Sequence, residues 1–243
     1  MKLLEGKSIA MTGGGGGLGR CYGLAMAQAG AAVAVSDINL AAAQATADAI
    51  VKAGGRAIAV QADVTRAAQF EQLLDRTEVE LGPIDVLLNI AGVFPRVALV
   101  DMAEETWDAV ITLNLKSVYL GARAAIRRML PRNRGVVLST ASGTGIRGQP
   151  RGSAYSASKA GIIGFTRAVS LELKDTGVRI NCFGPGATDT PLLRVGKSEE
   201  EIKRLLAAGF VYQPDDFSNV VVFLASDMSC PLNGEFISRD LHR

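Results

Sequence analysis

Tyr155 and Lys159 stand four residues apart in a segment patterned as a helix, so their side chains share one helix face. A phenol ordinarily ionises near pH ~10, and a neighbouring ammonium favours the phenolate. The pair therefore predicts a tyrosine of lowered pKa, able to pass a proton to or from an alcohol oxygen. Ser142 follows the strand-like run from Gly135 to Thr140 and offers a hydroxyl that can hold the same oxygen. Alone the set is weak: Tyr-x-x-x-Lys recurs on many helices, and Ser142 could equally begin a loop.

A proton moved at an alcohol needs a hydride acceptor, and a second stretch supplies its site. Met11-Thr12 leads into five consecutive glycines, then Leu18-Gly19-Arg20. The apolar run Ser8 to Met11 precedes it and a helix-like segment, Cys21 to Ala29, follows. Strand, glycine turn and helix are what a dinucleotide needs: a backbone free to approach the pyrophosphate, and a helix N-terminus presenting N–H groups to it. The spacing is Thr-Gly-x-x-x-Gly-x-Gly at Thr12, Gly13, Gly17 and Gly19, with Leu18 inside the turn. A flexible linker would not be framed in this way.

Asp37 ends the second strand-like run, Ala32 to Ser36. A carboxylate there can accept both adenosine ribose hydroxyls and repels a 2′-phosphate. It can also cap the helix that begins at Leu40, as can Asn39. Gly16 stands where a basic residue would partner a 2′-phosphate, and Ser36 and Ile38 add no charge. NAD(H) is favoured over NADP(H).

Placing these groups takes an alternating chain. Strands are predicted over 32–36, 57–61, 84–88, 135–140 and 178–183, with a short last one near 235–237. Helices are predicted over 40–53, 66–81, 153–174 and 214–225, and one long helix over 104–129. The segment 192–213 reads as helical in part. Such alternation means parallel strands joined by right-handed crossovers, with ligands at the carboxyl ends of the strands. Asp37, Asp63, Asn89, Ser142 and Pro185-Gly186 all follow strands. No linker or repeat divides the chain, and one domain over 1–243 is expected.

The 243 residues are 48% hydrophobic and 21% charged, with a formal net charge of +2. That balance suits a globular chain with a sizeable core and gives no electrostatic argument for nucleic acid or an anionic membrane. No apolar stretch reaches the length of a membrane span. The first strand begins too early to leave room for a signal peptide. Cys21, Cys182 and Cys230 are odd in number and far apart, which fits neither a disulfide framework nor a zinc site. The only histidine is His242. No metal is expected, and the expected setting is cytoplasmic.

Taken together, Thr12-Gly13-x-x-x-Gly17-x-Gly19, Asn89-x-Ala91-Gly92, Asn114, Ser142, Tyr155-x-x-x-Lys159 and Pro185-Gly186 resemble the short-chain dehydrogenase/reductase family in order and spacing, over about residues 5–237. The resemblance implies one Rossmann-like, doubly wound α/β domain with a mostly parallel seven-stranded sheet, usually in a homotetramer. It implies Tyr155 as catalytic acid/base and Lys159 as ligand of the nicotinamide ribose that lowers the tyrosine pKa. Ser142 would orient the substrate oxygen, and Asn114 would hold a water of a proton relay. Asp63 and Val64 would contact adenine. Asn89, Ala91 and Gly92 would line the adenosine side, and Pro185, Gly186, Thr188 and Thr190 the nicotinamide. Two departures stand out. A double asparagine usual in the family is here Asn89-Ile90. The tail reads Ser238-Arg239-Asp240-Leu241-His242-Arg243 where Val-Asp-Gly-Gly is common. That tail leaves a homodimer as open as a homotetramer.

The substrate pocket is expected between Phe94-Pro95-Arg96, the loop Gly143 to Arg151, and a lid over about 191–213. Arg96, Arg147 and Arg151 either meet an anionic group or are solvated loop charges. Three functions remain open: an NAD-dependent oxidoreductase interconverting a secondary alcohol and a ketone, a 3-oxoacyl-thioester reductase using NADPH, and an idle nucleotide-binding scaffold. The complete Asn-Ser-Tyr-Lys set argues against the last. An oligomer is expected through the helices 104–129 and 153–174, which carry Ala122, Ala125, Ile126, Ala160, Ile163 and Phe165.

Overall fold

The structure, a computed structural model, describes residues 2–209 and 211–239. Phe210 at the end of the expected lid, and Asp240 to Arg243 with His242 among them, lie outside the described residues. Seven strands are present: β1 (Ser8–Met11), β2 (Ala32–Asp37), β3 (Arg56–Gln61), β4 (Ile84–Asn89), β5 (Gly135–Thr140), β6 (Val178–Gly184) and β7 (Phe236–Ser238). They form one sheet in the order β3-β2-β1-β4-β5-β6-β7, and every pairing is parallel. The chain builds outward from β1 to β3, then returns to lay β4 on the other side of β1. The strand order therefore reverses between β1 and β4, where a crevice opens at the carboxyl ends.

Among the described residues, ten α-helices accompany the strands: α1 (Gly17–Gln28), α2 (Leu40–Lys52), α3 (Ala67–Leu81), α4 (Glu104–Ile111), α5 (Ser117–Met129), α6 (Thr144–Arg147), α7 (Ser153–Glu172), α8 (Pro191–Arg194), α9 (Glu199–Ala207) and α10 (Ser218–Ala225). Side-chain alternation along each strand feeds two apolar layers. Ile9, Met11, Val33 and Val35 face Tyr22 and Met26 of α1, Ile50 of α2 and Val221 of α10. Ala10 and Ala34 face the other way, toward Phe70, Leu73 and Leu74 of α3 and Ala122 and Met129 of α5. A smaller cluster, with Val118, Ile162, Ile163 and Cys182, lies under α7. This is a single α/β domain with its sheet buried on both faces, as the apolar strands require.

The expected helix over 104–129 keeps its two ends but is interrupted. It is two helices, α4 and α5, joined by a π-helical turn, Thr112–Lys116. The widened turn holds Asn114, whose fully buried carboxamide bonds to backbone outside the helix. Such turns often mark functional sites. The last helix begins at Ser218 rather than Pro214, because Asp216 turns back to accept from the Gln213 N–H at 3.1 Å.

The helix faces expected to drive assembly are also corrected in part. Ala122, Ala125 and Ile163 are buried in the cores, and Ile126 and Phe165 pack partly against them. Of the six, Ala160 is exposed. No helix among the described residues is long and apolar enough to cross a membrane.

Candidate active site

The turn after β1 is held by backbone. The Thr12 N–H donates to Leu88 O at 3.0 Å, and its hydroxyl oxygen accepts from the N–H groups of Ile90 at 3.1 Å and Ala91 at 3.4 Å. Gly13 turns at φ +64°, and a Cβ there would lie 2.8 Å from Ala91 Cα. A Cβ on Gly19 would overlap the Gly13 carbonyl. Side chains at these positions would separate β1, α1 and the end of β4. Leu18 turns inward, partly buried against the core under α1. Helix α1 begins at Gly17 with no side-chain cap and no acidic residue in its first turn. Its leading N–H groups and positive dipole end are left for an external anion, so this cradle fits a pyrophosphate.

At the end of β2, the Asp37 carboxylate accepts from the N–H groups of Gly15 and Asn39, each at 3.0 Å. It is thereby fixed beside the glycine turn and stays partly exposed. Asn39 caps α2, accepting from Ala42 N at 3.2 Å. No atom lies within 4 Å of a Cβ built on Gly16, and that glycine is exposed.

The next residues serve structure first. Asp63 Oδ1 accepts from the Thr65 hydroxyl at 2.6 Å and the Thr65 N–H at 3.0 Å, and its Oδ2 lies 3.3 Å from Arg66. The Thr65 bond above all holds this carboxyl below its usual range, with burial opposing. Val64 is buried among α3 residues. Asn89, also buried, donates to Ser139 Oγ at 3.1 Å and ties β4 to β5. Gly92 approaches Asn114, whose Oδ1 would lie 3.1 Å from a Cβ on that glycine.

Across the crevice, Ser142 follows β5 and Tyr155 and Lys159 lie on α7. Ser142 Oγ accepts from the Thr144 N–H at 3.2 Å and the Thr144 hydroxyl at 3.0 Å. Lys159 is buried, and its Nζ donates to Thr140 O at 2.6 Å. Asn114 Oδ1 accepts from Val93 N at 2.8 Å, and Nδ2 donates to Val93 O at 2.9 Å and Ser158 Oγ at 3.2 Å. The π turn thus fastens the loop after β4 to α7. The Phe94 ring lies flat on Tyr155, with centroids 4.1 Å apart and an interplanar angle of 11°.

The expected lowering of the tyrosine pKa does not appear. Burial pushes Tyr155 up to about 12, against a hydrogen bond from Ser142 and the charge of Arg96, which both pull it down. The Lys159 ammonium is 5.5 Å from the ring centre and spends a proton on Thr140. Burial brings Lys159 itself down to about 8. In this state the two groups are each desolvated rather than tuned by one another.

Beyond β6, Pro185 is buried and Gly186 turns at φ +80°. Thr188 and Thr190 bond in sequence, Thr188 Oγ1 to Gly186 O at 3.2 Å and Thr190 Oγ1 to Thr188 O at 3.3 Å. Thr190 comes back over the glycine turn, 3.5 Å from a Cβ placed on Gly17. Helix α8 and α9 follow, and Tyr212 rejoins the loop through a bridge to Thr188. A cavity of about 480 Å³ opens between Val93, Phe94, Pro95, Glu105, Thr106, Ala109, Val110, Leu192 and Val195. Of the three arginines singled out, Arg96 and Arg151 meet, with Arg151 Nη2 donating to Arg96 O at 2.9 Å. Arg147 sits on α6 with its Nη2 3.1 Å from a Cβ built on Gly143.

Sequence reasoning missed the ring stack of Phe94 on Tyr155, the Thr140 carbonyl that holds Lys159, and Thr144. The last had a signal: Ser-x-Thr after a strand favours a local turn through the serine hydroxyl. Among the described residues no group of three or more metal-ligating side chains occurs.

Comparison with known proteins adds a family and a spread of substrates. Residues 7–201 match the short chain dehydrogenase family. The chain is 34% identical over 243 residues to a 3-oxoacyl-[acyl-carrier-protein] reductase of Thermotoga maritima, covering 98% of this chain and 97% of the relative. It is 36% identical over 222 residues to a cyclohexanol dehydrogenase of an Acinetobacter strain, covering 91% and 88%. A crystal structure of a short-chain type dehydrogenase/reductase from Mycobacterium marinum superposes with a TM-score of 0.90 at 32% identity, covering 98% of this chain and 95% of that one.

Proposed function

The chain belongs to the short-chain dehydrogenase family, and on that premise we propose that it interconverts a secondary alcohol and a carbonyl compound with a nicotinamide dinucleotide, using Tyr155 as acid/base. The observation that carries the proposal is the convergence of Tyr155, Ser142, Lys159 and Asn114 on one crevice with an uncapped α1 N-terminus. A bound dinucleotide supplies the hydride, or takes it.

The chain's residues do the rest. Thr12, Gly13, Gly17, Leu18 and Gly19 shape the cradle, and the first N–H groups of α1 meet the pyrophosphate. Thr188 and Thr190, with Pro185 and Gly186, close over the nicotinamide side. Asp63 and Val64 flank the adenine, while Asn89, Ala91 and Gly92 form the floor. Lys159 holds a ribose. Tyr155, a phenol at neutral pH whose proton burial holds more tightly still, gives that proton to a carbonyl oxygen during reduction. The Thr144 hydroxyl donates to Ser142 Oγ, and the Ser142 hydroxyl, which bonds Tyr155 here, would turn to the same oxygen when substrate is bound. Asn114 positions the site by joining Val93 to α7.

Asp37 supports NAD(H) over NADP(H). Its carboxylate is held beside the turn by two N–H groups, where ribose hydroxyls would bond to it and a 2′-phosphate would meet its charge. The relatives support a narrower substrate reading. The name 3-oxoacyl-[acyl-carrier-protein] reductase weighs more for a 3-oxoacyl thioester than the cyclohexanol dehydrogenase does for a simple alcohol. A cytoplasmic homotetramer or homodimer, with the segment 191–213 as a lid, completes the proposal.

The test is a panel of secondary alcohols, ketones and 3-oxoacyl thioesters, each with both dinucleotides, followed by nicotinamide absorbance. Turnover of thioesters alone selects the second substrate reading. No turnover with any member of the panel sinks the redox proposal.

A further inference from the structure

Arg96 projects from the loop after β4 toward the site. Its guanidinium carbon lies 4.1 Å from the centre of the Phe94 ring, whose other face carries Tyr155. Its Nε donates to Val195 O at 3.0 Å, which ties it to the segment after α8. Lys197 comes from the same segment, half-buried, with Nζ donating to Leu193 O at 3.0 Å. The nearby carboxylates are engaged elsewhere. Glu199 lies 3.8 Å from Arg194, Glu200 pairs with Arg204 at 3.3 Å, and Glu201 accepts from Ser198 N at 2.7 Å. Glu105 lines the far edge of the cavity. Among the described residues no carboxylate is within ion-pair distance of Arg96, Arg151 or Lys197.

Half-buried like charges without a directly paired carboxylate are unfavourable, and they mark where an anion would be welcome. Burial first, and then Arg151, hold Arg96 below its ordinary value, although Tyr155 and Glu201 oppose the effect. Burial, then Arg96, bring Lys197 down to about 8, with Glu201 opposing.

We propose that Arg96 and Lys197 form an anion subsite that receives a carboxylate of the substrate, a few bonds from the carbon that exchanges hydride. The carbon skeleton would lie in the neighbouring cavity of about 480 Å³, whose Phe94 and Val195 are the residues that Arg96 touches. The guanidinium and the Tyr155 ring flank the Phe94 ring, each 4.1 Å from its centre, so a short oxo or hydroxy acid passing the edge of that ring can reach both. A pantetheine phosphate lies many more bonds from its thioester and does not suit this arrangement. An acyl thioester with a carboxylate on its acyl chain does. The inference rests on the reading of Tyr155 as the group that exchanges a proton with substrate.

The test compares kcat/KM for a short oxo acid and its methyl ester in the wild type, Arg96→Gln, Arg96→Lys and Lys197→Gln. The wild type should prefer the acid. The acid-to-ester ratio should fall about 10- to 100-fold in Arg96→Gln, as expected for loss of a charge-assisted hydrogen bond, and less in Arg96→Lys. Acyl thioesters with and without a terminal carboxylate form a second pair, which tells an acidic thioester from a free oxo acid. A wild-type ratio near one in both pairs, or a ratio unmoved by Arg96→Gln, overturns the subsite. Calorimetric titration of a short hydroxy acid into dinucleotide-saturated protein separates the two readings. If nothing turns over but the acid binds the wild type and not Arg96→Gln, the redox reading falls and the subsite stands. If neutral ketones turn over and the acid does not bind, the subsite falls alone.

Discussion

The β1–β3 side and the β5–β6 side of the sheet present polar groups to the same crevice in opposite conditions. On the first side the backbone settles them. Thr12 accepts from two N–H groups, Asp37 from two more, and Asn39 caps a helix. On the second side, an ammonium is buried against the Thr140 carbonyl and a phenol is pushed toward a pKa of about 12. The first arrangement stabilises the fold as it prepares a site. The second costs stability, as expected where groups are kept for chemistry rather than for the fold. The comparison predicts opposite results from substitutions on the two sides.

The largest effect belongs to Tyr155→Phe. The ring and its stack on Phe94 are kept and the proton donor is lost. Turnover should fall ~10²–10⁴-fold or more, as when general acid–base catalysis is removed. Dinucleotide affinity, measured by fluorescence titration, should stay close to wild type. A near-wild-type rate on a competent substrate would show that the proton is handled elsewhere and that the second side has been misread.

The two sides also differed in how much their sequence disclosed. The glycine turn was legible because its function is a backbone requirement. The close fit of Gly13 and Gly19 follows from residue type and spacing alone. The alternation of seven strands was legible for a similar reason, since each run has an apolar centre between turn residues. Tyr155 and Lys159 were legible as neighbours on α7, but their states were not. Spacing on a helix gives proximity, while burial and the Thr140 carbonyl come from the packing of α7 on β5 and β6. The π turn at Thr112–Lys116 was hidden because its residues fit an α-helix locally. It depends on Asn114 reaching Val93, a contact between distant parts of the chain.

Lys159→Met tests the cost directly. Activity should be lost, yet the dinucleotide-free protein should gain on the order of 1–3 kcal/mol at pH 7, because a buried ammonium is removed. The sign follows from the shift. The folded value of about 8 lies below the ordinary 10.5, so the unfolded chain binds the proton more tightly. The penalty is therefore full below about pH 8 and fades as pH rises toward 10.5. Thermal melts of both proteins from pH 7 to 10 should converge. A variant less stable than wild type at pH 7 would mean that the Thr140 hydrogen bond outweighs the desolvation.

Asp37→Ala belongs to the first side and should behave in the opposite way. The Gly15 and Asn39 N–H groups lose their acceptor, so the apo protein should lose about 1 kcal/mol. The ratio of NADP(H) to NAD(H) affinity should rise about tenfold, a value typical of losing one charge-assisted bond. Titration of the variant with both dinucleotides checks this. An unchanged ratio would remove Asp37 from cofactor selection and leave it as a structural acceptor at the end of β2.

The smallest effect tests whether the second side is arranged around a direction of proton donation. Ser142 Oγ receives two hydrogen bonds from Thr144, one from the backbone at 3.2 Å and one from the hydroxyl at 3.0 Å. An oxygen whose lone pairs are both engaged has its own proton left to give. In the proposed complex that proton would turn from Tyr155 to the carbonyl oxygen that Tyr155 would protonate. Thr144→Val keeps the shape and the backbone bond but removes the hydroxyl donor. The serine proton gains a second orientation, and its donation to substrate weakens by about 0.5–1.5 kcal/mol, or roughly two- to tenfold in kcat/KM. Thr144→Ser should restore the rate, because it restores the donor. If valine and serine at this position behave alike, Ser142 is oriented by the substrate itself, and Thr144 serves only to close the turn after β5.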